Sequence, residues 1–186
     1  MAEHAHIAHT SDKRIALLIA VLALFLALVE TGAKSAQTDV ITRNVEAANL
    51  WAFFQAKTIR QTTVRTAAEQ AELQKSAADP VARPAAEAQQ KAWRDSAARW
   101  ESEPSTGEGR KELATRAKTS EDHRDLSMAK YHFFEYSAAL FQVAIVITSA
   151  SIVTGVPLLA GLGGLLGVIG LALGGIGALA PMAFHF

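Results

Sequence analysis

Five glycines, Gly163, Gly167, Gly170, Gly174 and Gly177, recur at steps of +4, +3, +4 and +3. On a helix that spacing draws a single stripe, a heptad seam made wholly of glycine. Gly163/Gly167 and Gly170/Gly174 are each GxxxG pairs. The chemistry of such a stripe is contact. Lipid offers no hydrophobic drive for joining helices, so close van der Waals approach of two backbones must supply it. These residues are expected to form a helix-packing seam, a glycine zipper, against a helix of the same chain or of another subunit. Gly161, Gly164 and Gly175 lie off the seam.

The ionisable candidates are few. Glu30 and Glu135 are the acids nearest the apolar runs. Acids inside a membrane often mark ion or proton paths, but both stand at the ends of runs, so we read them as interfacial acids. His4, His6 and His9 are grouped near the start. Imidazoles bind transition metals, yet no carboxylate or thiolate supports this group, and a solvated tail is the better reading. The polar residues Ser137, Gln142, Thr148, Ser149 and Ser151 share a later apolar run. They can line a water path, but such residues more commonly bond helix carbonyls or a neighbouring helix. There are no cysteines, which removes thiolate metal sites and Cys nucleophiles. No phosphate loop or nucleophile–base pair is present. The expectation is therefore no enzyme, no cofactor, no metal and no catalytic residue.

The elements that carry these residues follow from charge and hydropathy. No Lys, Arg, Asp or Glu occurs in residues 136–186. A soluble surface needs charge, and at about 1.5 Å per residue this stretch crosses a roughly 30 Å hydrocarbon core twice. Spans are predicted over residues 136–153 and 158–180, joined by a turn at 154–157 that Gly155 and Pro157 suit. Residues 15–29 form another apolar run, read as a retained transmembrane helix over 13–33 rather than as a signal peptide. Residues 1–12 read as a flexible tail.

Between the spans the composition reverses. All 18 Lys and Arg except Lys13 and Arg14 fall within residues 34–130, as do all 18 Asp and Glu except Glu3, Asp12, Glu30 and Glu135. This mixed, near-neutral segment argues against nucleic-acid binding. It lacks Pro and Gly from 35 to 78, so one helix is expected to continue from the first span. Pro80 and Pro84 break it, and a second helix follows over 84–101. A third begins near Gly109, with Ser105 and Glu108 as a capping box and Thr119 with Asp122 as a kink or restart. The outgoing helix measures roughly 67 Å and the return path roughly 64 Å, so a coiled-coil-like stalk closes. Its apolar faces are narrow and rich in Ala. Trp51, Phe53 and Phe54 cannot share one face, which points to a helix with neighbours on more than one side and to a stalk contact between subunits. Aromatic residues 131–136 read as an interfacial belt, with Phe184 and Phe186 as a terminal anchor. Lys and Arg beside the spans place the stalk in the cytoplasm.

Several runs, ETGAKSAQT (30–38), NLWAFFQAKTIRQT (49–62), YHFFEY (131–136) and ASIVTGV (150–156), resemble the bacterial membrane proteins grouped as the domain-of-unknown-function 4337 family. The resemblance implies a bacterial inner-membrane location and a retained first span, and carries over no activity. The whole reading is an all-α, three-span membrane protein with a helical stalk over 34–130 and a hairpin over 131–186. It sits in the lipid bilayer and acts as a homo-oligomeric scaffold or interaction module. The alternative is a channel or ion-coupled motor component, by likeness of layout to the ExbB and TolQ type proton-channel subunits; neither hairpin span carries a mid-membrane acid or Lys.

Overall fold

The computed structural model describes the backbone of residues 2–74 and 80–182 and the side chains of residues 13–74 and 80–182. All regular structure in the described residues is helical: α1 (Ala2–Gln74), α2 (Arg83–Glu101), α3 (Arg110–Thr154) and α4 (Pro157–Leu179). α1 is helical from Ala2, ahead of the expected start. His4, His6 and His9 and the terminal Phe184 and Phe186 have side chains outside the described residues. Residues 75–79, between α1 and the expected break at Pro80, also lie outside them. Three helices are long and apolar enough to cross a membrane: α1 from Lys13, α3 and α4.

The chain divides into two compact units. The apolar unit comprises Met1–Ile41 and Arg124–Phe186, and the polar unit comprises Thr42–His123.

The apolar unit is three helices. α3 runs without interruption past Thr119 and Asp122, because nothing there removes a backbone donor. It stops at Gly155, whose φ of +70° only glycine adopts freely. The Gly155 N–H donates to the Ser151 carbonyl at 3.0 Å, and Ser151 Oγ donates to the Val156 carbonyl at 2.8 Å. Pro157 then opens α4, where its missing N–H costs nothing. The core is Leu22 and Val29 of α1 with Ala138, Phe141 and Ala144 of α3. Phe25 stacks on Phe141 at 6.0 Å between centroids.

The polar unit packs the far part of α1, α2 and the start of α3. Its hydrophobic core is small: Leu50, Leu113 and Ala117, with Trp51 and Phe54 against them. Pro84 sits in the first turn of α2. The turn before α3 is not capped by Ser105 and Glu108. Glu112 does that work from inside the helix, accepting from Ser102 Oγ at 2.6 Å and from the Glu103 N–H at 3.2 Å. Gly109 lets the chain pass close to residues 102 and 103, where a Cβ would collide with backbone.

Candidate functional site

The surfaces that join helices are the part of this molecule whose residues are most constrained. In α4 the buried residues are Gly163, Gly167, Gly170, Gly174 and Gly177. Their neighbours belong to α1 and α3 of the same chain. A Cβ on Gly163 would occupy the place of Thr148 Oγ1 and lie 2.9 Å from the Ala144 carbonyl oxygen. On Gly167 it would meet the end of Leu22. On Gly174 it would lie 3.0 Å from Ser137 Oγ and 3.2 Å from Val29 Cγ1. On Gly177 it would lie 2.7 Å from Phe133 Cβ. Gly170, the middle member, is the loosest, with its nearest contacts at 3.4 Å. Off the seam, Gly161 and Gly175 have nothing within 4 Å and Gly164 only Leu18 at 3.9 Å.

Two hydroxyls fill the groove that the glycines leave. Ser137 is fully buried and donates to the Gly170 carbonyl at 2.7 Å. An interhelical hydrogen bond of this kind in lipid is worth about 0.6 kcal/mol, and up to about 1.7. Thr148 Oγ1 is buried and makes no hydrogen bond among the described residues. Ser149 bonds its own helix at the Ile145 carbonyl. Of the polar residues of α3 singled out above, Ser137 and Thr148 face the glycines of α4, and Gln142 points outward to Glu30.

Glu30 accepts from Gln142 Nε2 at 3.3 Å. Glu135 accepts from the Tyr131 hydroxyl at 3.3 Å and has His132 Nδ1 at 3.8 Å. Both acids are exposed. The His132 ring lies 5.6 Å from Tyr131 and 6.3 Å from Tyr136, a small ring cluster.

Trp51, Phe53 and Phe54 point in two directions. Trp51 and Phe54 face inward, edge to face at 5.5 Å, and the Trp51 indole donates to Glu121 at 2.8 Å. Phe53 is exposed, with Lys57 Nζ 5.3 Å from its ring centroid.

The strongest polar arrangement is one that the sequence reading missed. Gln61 of α1 donates to the Ala97 carbonyl of α2 at 2.9 Å and to Glu101 Oε2 at 2.9 Å. Gln90 of α2 returns the same pair of bonds to α1, to the Ala68 carbonyl at 2.9 Å and to Glu72 Oε2 at 2.6 Å. Arg94 bonds Glu72 at 3.2 Å, and Arg65 stands 4.0 Å from Glu101. The two antiparallel helices are thus related by a local two-fold. Its signal is a spaced repeat: QTTVRTAAEQAE from Gln61 and QKAWRDSAARWE from Gln90 match at Gln, Arg, Ala and Glu. Only four positions agree, and Ala is common in this chain, so the match is invisible without the pairing.

Arg110 closes the arrangement from α3. It bonds Gln61 Oε1 at 2.6 Å, Glu101 at 2.8 Å and Thr58 at 2.9 Å, and lies 4.9 Å above the Phe54 ring. The Gln61 hydrogen bond is the main reason that the Glu101 carboxyl is held below its ordinary range. Partial burial pushes the other way, and Arg110 reinforces the lowering. The Ser102 hydroxyl likewise lowers the Glu112 carboxyl.

A family model described as Domain of unknown function (DUF4337) matches residues 11–180. No curated protein and no solved structure matches the chain.

Proposed function

The chain belongs to the DUF4337 family, and from its geometry we propose that it is a membrane-anchored scaffold that assembles with further copies of itself through the polar unit. The observation that supports this is an uncharged face. On α1, residues Val45, Ala48, Ala52, Ile59, Thr62 and Thr66 follow heptad spacing and are all exposed. They lie opposite the stripe of Leu50, Lys57 and Gln61 that packs against α2 and α3. Val45 is 53% and Ile59 67% exposed. The outer faces of α2 and α3 differ: Arg83, Glu87, Lys91, Asp95, Lys111, Arg116 and Lys118 are exposed there. A helix face that water covers is ordinarily charged, and one that a neighbouring helix covers is ordinarily apolar or small. Anchoring in one membrane makes the α1 helices of two copies parallel. The uncharged stripe brings like residues together without charge repulsion.

The polar unit is assigned to the cytoplasmic side, on the Lys and Arg beside the spans. An enzymatic role is not proposed, because no residue set with a reaction geometry among the described residues supports one. A channel within one protomer is disfavoured by packing, since Leu22, Val29 and Phe141 fill the space between the apolar helices.

The test uses the absence of cysteine. Ala52→Cys should give a disulfide-linked dimer in native membranes, and Ala52→Glu should abolish higher species in mild detergent. A chain that stays monomeric in both settings overturns the reading. Ser105→Cys, at an exposed loop position, should resist an impermeant thiol reagent in intact cells; labelling from outside would reverse the topology.

A further inference from the structure

Glu30 and Gln142 meet on the outside of the apolar unit, where α1 and α3, both long and apolar enough to cross a membrane, expose Leu24, Leu28, Val143 and Val146. The antiparallel contacts of Phe25 with Phe141 and of Gly32 with Phe134 set Glu30 level with Tyr136 and Gln142 level with Leu24. The two backbones are therefore roughly 9 Å apart along the helix axes. A helical side chain leans toward its own N-terminus. In antiparallel helices both side chains lean toward each other, and they close the gap to 3.3 Å. The amide thus meets the carboxylate between the levels of Leu24 and Tyr136, on the apolar side of residues 131–136.

One hydrogen bond does not use up this pair. Among the described residues, Glu30 Oε2, the second Nε2 hydrogen of Gln142 and its Oε1 have no partner. Where hydrocarbon surrounds them it offers none, and unsatisfied polar groups there are costly. The unused groups complement each other: one N–H donor and one carboxyl acceptor. Ala23 and Ala27 on α1 and Ala139 on α3 are exposed on either side. Such small residues let another helix come within hydrogen-bond reach.

We propose that the Glu30–Gln142 pair is an intramembrane docking point for a second copy of this chain, in which Gln142 of one copy donates to Glu30 Oε2 of the other. This rests on the self-association reading above, but uses a different surface.

Val143→Cys places a reporter beside Gln142. The full-length variant in native membranes is expected to form a disulfide-linked dimer under mild oxidation. Glu30→Leu or Gln142→Leu in that background should lower the yield roughly tenfold, the weight of two intramembrane hydrogen bonds. Glu30→Gln retains an acceptor and should keep most of the yield. Helicity and melting of each variant report whether it folds; both residues are exposed, so no loss is expected. If Val143→Cys does not cross-link while Ala52→Cys does, this contact is wrong and the assembly reading stands. An unchanged yield in Glu30→Leu and Gln142→Leu also overturns it. If neither reporter cross-links, the assembly reading itself falls, and the docking point with it.

Discussion

In the apolar unit the residues of α4 that touch its neighbours are five glycines. In the polar unit the residues at the α1–α2 contact include Gln61 and Gln90, 2% and 6% exposed. The difference matches the solvents that the two compositions suit, since three helices are long and apolar enough to cross a membrane. In lipid, an apolar side chain gains little by touching another apolar side chain rather than a lipid tail, so affinity comes from backbone proximity. Where water surrounds them, burial of apolar surface is favourable, but the narrow Ala-rich faces supply little of it. Glutamine amides then join the helices by bonding a neighbour's carbonyl and carboxylate. The lesson is that small residues mean opposite things in the two units. In α4 a missing side chain is the contact; along α1 and α2 it leaves room for Gln to reach across.

The largest expected effect breaks the apolar unit. Gly177→Leu drives a side chain into Phe133, and Gly163→Leu into the Ala144 carbonyl, for a loss of about 3 kcal/mol or more. Gly175→Leu, in open space, is the matched control. Melting in detergent by circular dichroism checks this. Because Trp51, Trp93 and Trp100 all lie in the polar unit, their fluorescence should shift less than the helical signal. Equal behaviour of Gly177→Leu and Gly175→Leu would show that the spacing is compositional.

Gln61→Leu should break the polar unit in the complementary way. It strips a partner from the Ala97 carbonyl, Glu101 and Arg110 at once, at a cost of about 2 kcal/mol. Here the tryptophan signal is the one that moves first. Gln90→Leu should cost less, because Glu72 is half-exposed and retains Arg94.

Acid sharpens the same contrast. Glu101 and Glu112 have folded values held below the ordinary 4.5. A lowered carboxyl stabilises the fold fully above its unfolded value, and that contribution is lost as pH falls through the folded value. Tryptophan fluorescence should therefore report loosening of the polar unit as pH drops below about 4.5. Glu101→Gln should flatten the profile; an unchanged slope would remove Glu101 from the account.

The smallest effect tests the middle of the seam. With contacts at 3.4 Å, Gly170→Ala is expected to be near neutral, while Gly175→Ala should stabilise by about 0.5 kcal/mol through helix propensity. A strongly destabilised Gly170→Ala would mean that the seam closes further than the contacts indicate.

Much of the architecture was legible in the chain because it rests on local or periodic causes. Uncharged length marks the helices long and apolar enough to cross a membrane, Gly155 and Pro157 set the turn between α3 and α4, and Pro84 opens α2. The +4/+3 rhythm alone separates the glycines that are buried in α4 from those that are not. Three things awaited the tertiary structure. The glycine seam faces α1 and α3 of its own chain, a choice that spacing leaves open because another subunit's helix presents the same ridges. Gly163, Gly167 and Gly177, not the central Gly170, meet the closest neighbouring atoms, since curvature and crossing angle are set by the partners. The reciprocal Gln61 and Gln90 bonds, and the meeting of Glu30 with Gln142 across 112 residues of sequence, depend on which helices become neighbours. Periodicity tells which face a residue shares; only packing decides what that face touches.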